Sequence, residues 1–166
     1  MPVRGADVVA QNIRSFGGGF LAHVNKTMHV VDKLLDDEIT RNMNLDCHTQ
    51  ADLDAMGNPY SRRHGPQGAK IHDPYWQVHT QTGNLISSKR AGISEASVAS
   101  GTLKAGAWVA LDTSVAEYAN DVIYGNSFMI PRDFMNGSLA IVKDSAVEYI
   151  QESLRDFVYS FKPKQQ

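Results

Sequence analysis

Apolar residues recur along this chain with two different periods, and the places where the period changes mark its elements. From Phe20 the apolar positions run Phe20, Val24, Met28, Val31, Leu35 and Ile39, about 3.8 residues apart, with Leu21 and Leu34 widening the stripe. Lys26, Asp32, Lys33, Asp36 and Asp37 occupy the other side. The spacing predicts an amphipathic helix over 20–45, ending between residues 42 and 47. Upstream, Val8, Val9, Ile13 and Phe16 form a shorter helical pattern that runs into Gly17-Gly18-Gly19, where three residues without Cβ make continued helix costly. A hinge is expected there, so residues 1–19 read as an N-terminal arm joined by a glycine hinge. At the other end Leu139, Val142, Ala146, Ile150, Leu154, Phe157 and Phe161 recur about every 3.7 residues. They predict a long helix over 131–161, with Pro131 near its first position, an acid in its first turn and Lys162-Pro163 as its stop.

Between the two helical stretches the pattern changes twice. Residues 46–84 are polar and punctuated by Gly57-Asn58-Pro59, Gly65-Pro66, Gly68 and Asp73-Pro74, which leaves no room for a long regular element. Tyr60, Ile71, Tyr75, Trp76 and Val78 supply apolar anchors, so this is expected to be a long ordered loop packed on the domain or on a neighbour. Residues 85–130 carry a sheet and a short helix. Lys89 to Ser100 and Leu103 to Asp112 alternate as two strands around a hairpin turn at Ser100-Gly101-Thr102. In the second strand Ala105, Ala107, Val109 and Leu111 share one face and Trp108 takes the other. The parity of the first strand breaks between Ile93 and Val98, which points to a bulge or a shorter strand. Val115 to Ile123 suits a short helix. Two long helices flanking a small antiparallel sheet make a single α+β domain over 1–166.

Composition narrows the functional classes. Sixteen Lys+Arg against eighteen Asp+Glu leave a net charge of -2, spread evenly over both halves of the chain. A non-specific nucleic-acid binder draws its affinity from a basic excess that is absent here. No apolar run approaches the ~20 residues that span a bilayer, and no secretory signal opens the chain, so a soluble protein made in the cytoplasm is expected. A single cysteine, Cys47, excludes an internal disulfide and a thiolate-rich zinc site.

Candidate chemistry is thin. His64, His72 and His79 share the loop with Cys47-His48, but their spacing matches no His-Glu-x-x-His or Cys-x-x-Cys pattern. His23 and His29 lie on the first long helix at expected surface or partner-contact positions. Adjacency at Cys47-His48 does not build a nucleophile and base, and no Gly-x-Ser-x-Gly elbow is present. The acids Asp36-Asp37-Glu38, Asp52 and Asp54 read as a solvated face. We therefore assign no catalytic residue, metal or cofactor, and expect no enzyme. Ser61-Arg62-Arg63-His64 with Tyr60, Tyr75 and Trp76 is the compact basic and aromatic cluster, and its arginines are expected to pair with acids of the same or an adjacent subunit. Tyr60, Arg62, Arg63, Tyr75 and Trp76 are the candidate interface residues, because Tyr, Trp and Arg dominate interface energies.

Four short motifs follow one another in order: Gln81-Thr82-Gly83-Asn84-Leu85, Ala107-Trp108-Val109-Ala110-Leu111-Asp112, Tyr118-Ala119 followed by Tyr124-Gly125, and Pro131-Arg132-Asp133-Phe134. Together they resemble the minor-tail or tail-completion proteins of long-tailed bacteriophages, over roughly residues 20–160. The chain departs from that pattern in having Val122-Ile123 before Tyr124-Gly125, where an acid is common, and in its larger loop. The resemblance implies a structural virion protein of the neck, assembled as a ring of several copies, commonly six. Its partners would be further copies, a head-side connector or stopper protein and a tail terminator or tail tube protein, with at most passive contact with DNA in the lumen and none with membrane. A tail terminator or tail-assembly factor is the alternative, and a metal-dependent hydrolase using the loop histidines a third. In the neck reading Thr82 caps the next turn, Gly83 permits it, Leu85 and Ile86 dock on the sheet, and Gly125 takes a positive φ or allows close approach. Arg132 opposes the dipole of the last helix and calls for an acidic partner.

Overall fold

A computed structural model of the chain describes residues 6–43, 83–127 and 131–163. The element order is α1 (Ala6–Met43), α2 (Asn84–Ser87), β1 (Lys89–Ala99), β2 (Thr102–Leu111), α3 (Ala119–Tyr124) and α4 (Phe134–Ser160). The strands form a two-stranded sheet, so the expected α+β class, with one small antiparallel sheet and a long helix at each end, is what the chain adopts. The described residues pack as two compact units. One contains residues 6–32, 92–108 and 145–163; the other contains 33–43, 83–91, 109–127 and 131–144.

The glycine hinge does not exist. Helix α1 runs through Gly17-Gly18-Gly19 without a break for 38 residues. The reason lies on either side of the triplet. Phe16 and Phe20 stack at 5.9 Å, Phe157 lies 5.6 Å and 5.8 Å from them, and Phe161 meets Phe16 edge-on at 5.0 Å. Four packed rings hold both flanks of the triplet in helical register, which outweighs a glycine penalty of about 1 kcal/mol per residue. Gly19 faces the Phe157 ring, which a Cβ there would meet in ordinary van der Waals contact at 3.4 Å.

At the hairpin, Ser100 (φ 51°) and Gly101 (φ 76°) both take the left-handed conformation of a two-residue type I′ turn. At the other end of the ladder the Asp112 N–H donates to Ser88 O at 2.8 Å. Within it Gly92 faces the Trp108 ring so closely that a Cβ would sit 3.0 Å from it. These pairings are one residue out of step with the turn. One extra residue therefore sits in β1 between Gly92 and the turn, as the broken parity of that strand anticipates.

Helix α4 begins at Phe134, three residues later than Pro131 suggested. Its cap is Asp133, whose Oδ1 accepts the Asn136 N–H at 3.0 Å, while Oδ2 accepts from Asn136 Nδ2 at 2.6 Å. Leu139, assigned by the stripe to the buried side, is 48% exposed; Phe134 and Ser138, in the first two turns, are buried instead.

Candidate functional site

In the unit holding residues 33–43, 83–91, 109–127 and 131–144, the core gathers Ile39 and Met43 of α1, Leu85 of α2, Ala116, Ala119 and Val122, and Phe134 of α4. Ile86, Val109 and Leu111 pack against it, so Leu85 and Ile86 dock where expected. Gly83 makes this possible: its φ of 76° places it as the N-cap of α2, and the Ser87 N–H donates to its carbonyl at 2.9 Å. The N-cap is Gly83, its position set by backbone geometry without a side-chain bond; Thr82, expected to cap this turn, lies outside the described residues.

The remaining motif residues surround the same core. Asp112 ends β2 in an acidic turn, with Oδ1 accepting the Ser114 N–H at 3.0 Å and the Ser114 hydroxyl at 2.5 Å, and Oδ2 accepting from Arg90 at 3.3 Å. Bonding to Ser114, then the charge of Arg90, holds its carboxyl below the usual aspartate value. Tyr118 is the N-cap of α3 through its backbone, and its carbonyl accepts the Val122 N–H at 3.0 Å. Gly125 closes α3 with φ 71°. Pro131 is exposed. Arg132 is fully buried, and its N–H donates to Val122 O at 2.7 Å. Phe134 is fully buried. Trp108 belongs to the other unit and is 44% exposed over Gly92.

Two readings of the helix faces change. The acids 36–38 are not a uniform solvated face: Glu38 is buried, bonded by Arg41 and by Asn42 Nδ2 at 3.1 Å, while Asn42 also donates to Ser138 Oγ at 2.9 Å. Asp36 pairs with Lys89 at 2.5 Å, and Asp37 with Lys33 at 2.9 Å on the surface. His23 is half-buried within its own unit. Its Nε2 lies 2.9 Å from both Ser153 O and Ser153 Oγ, the latter 2.8 Å from the Thr27 hydroxyl, and its ring lies 5.0 Å from Phe157. The α1 stripe hides it because sequence spacing does not show which residue of α4 faces a histidine. His29 is exposed as expected.

A cleft of about 280 Å³ opens beside this core, lined by Leu111, Ile123, Tyr124 and Met135 with polar Asn120 and Asp133 among the others. Tyr124 belongs to one of the four short motifs; Asn120 and Met135 lie in none of them, and their meeting depends on how two separate helices pack. Among the described residues no group of three His, Cys, Asp or Glu side chains is placed to hold a metal ion, and no helix is long and apolar enough to cross a membrane. The loop histidines and Cys47, together with Tyr60, Arg62, Arg63, Tyr75 and Trp76, lie outside the described residues. Compared with known proteins, the chain matches no family model, no curated protein and no solved structure.

Proposed function

We propose that the chain is a non-enzymatic structural subunit of the neck of a long-tailed bacteriophage, joining the head connector to the tail as a ring of copies. The observation that carries this reading is the amount of large apolar surface left outside the cores. Val9 and Ile13 on α1 are 56% and 67% exposed, Ile141, Val158 and Tyr159 on α4 are 52%, 53% and 82% exposed, and Tyr124 is 72% exposed. Single exposed apolar residues are ordinary, but a chain that shows them on both long helices carries the surface an assembling subunit needs. The motif residues fit the same reading, since Gly83, Leu85, Asp112 and Phe134 shape a core and a turn. A closed ring uses two different patches on each copy, and the partners of those patches are neighbouring copies, a head-side connector or stopper and a tail terminator or tube protein. Disrupting the gene in an infecting phage tests the reading: full heads beside separate finished tails are expected, and infectious particles that lack the protein would overturn it.

A further inference from the structure

We infer that the cleft lined by the end of β2, by α3 and by the first turn of α4 receives an arginine side chain presented by a partner protein. At about 280 Å³ it falls just below the range of roughly 300–1,000 Å³ typical of small-molecule sites, which suits a single long side chain. Leu111, Ile123 and Met135 offer apolar surface for an aliphatic stem. Tyr124, 72% exposed, leaves its ring open to a planar cation. Each oxygen of Asp133 accepts one bond from Asn136, and a carboxylate oxygen has two lone-pair sites, so acceptor capacity remains for a forked donor.

Charge decides which ligand fits. The lining holds one carboxylate, Asp133, and no Lys or Arg. Asp133 forms no ion pair with a described residue, whereas the nearby Asp112 is already engaged by Arg90. An amphipathic cleft with a carboxylate outside any such pair and an open aromatic ring selects a guanidinium over a neutral side chain, and over an ammonium that prefers to stay hydrated. The inference does not rest on the neck reading.

The test is an amide-resolved NMR titration of the full chain with N-acetyl-arginine amide, against N-acetyl-citrulline amide, which has the same shape without the charge. Saturable shifts at Ile123, Tyr124 and Asn136 are expected, with the citrulline compound at least about tenfold weaker. Asp133→Asn keeps a good capping residue and removes the charge, and Tyr124→Ser alters an exposed side chain. Each should weaken arginine binding several-fold while the rest of the amide spectrum stays in place. Equal binding of both compounds, shifts away from the cleft, or variants that titrate like the parent would overturn the inference. Tighter binding of free L-arginine than of the blocked compound would identify a metabolite site and overturn the partner's role.

Discussion

At the scale of single residues, backbone conformation and short-range bonding set the fold's corners. Ser100 holds φ 51° without being glycine, in a turn whose first central position favours Asn or Gly. Ser100→Asn should stabilise the chain by about 0.5–1 kcal/mol, read as a rise in the urea midpoint without a change in slope. Asp112 is the second case. Its folded-state pKa is lowered first by Ser114 and then by Arg90, so the carboxylate binds its proton less readily in the folded chain than in the unfolded one. That contribution to stability is present above the unfolded value of about 3.9 and disappears as pH falls through the lower folded value. Ser114→Ala removes the hydroxyl bond, and the Asp112 carboxyl should then titrate at a higher pH, measured by carbon NMR of the side chain.

At the scale of elements, packing overrides intrinsic preference. Gly17 and Gly18 sit inside α1 with open space where a Cβ would point, while Gly19 faces the Phe157 ring. Gly17→Ala with Gly18→Ala should therefore raise unfolding free energy by about 1–2 kcal/mol, since each adds helix propensity and meets no neighbour. Chemical denaturation of the double variant checks this, and a loss of stability would show that the triplet serves some bent state. Helix α4 makes the complementary point. Its start follows the Asp133 cap and not Pro131, because a side chain that accepts the Asn136 N–H satisfies a donor that proline placement leaves open.

At the scale of the whole molecule, both long helices and the hairpin contribute residues to each of the two compact units. Residues 58–78 form a polar stretch punctuated by Gly and Pro that carries Tyr60, Arg62, Arg63, Tyr75 and Trp76. In the neck reading, deleting them should leave a cooperatively melting chain while blocking its docking into particles. Circular dichroism melting together with incorporation into particles checks both halves of the expectation. Assembled particles containing the shortened chain would remove the interface role of those residues.

Periodicity alone specified much of this protein: a long helix near each end, a hairpin around Ser100-Gly101, an irregular first strand and a short helix before Gly125. These are local matters, because apolar spacing and the conformational freedom of glycine act within a few residues. Contacts between distant segments settled the rest. Phe157 of α4 keeps α1 helical through three glycines, and Ser153 turns His23 from an expected surface residue into a packed one, as Ser138 packs against Asn42. Three elements close on a cleft that no single stretch of sequence announces. Side chains about a hundred positions apart carry no mutual period, so their meeting depends on how the helices and the hairpin pack.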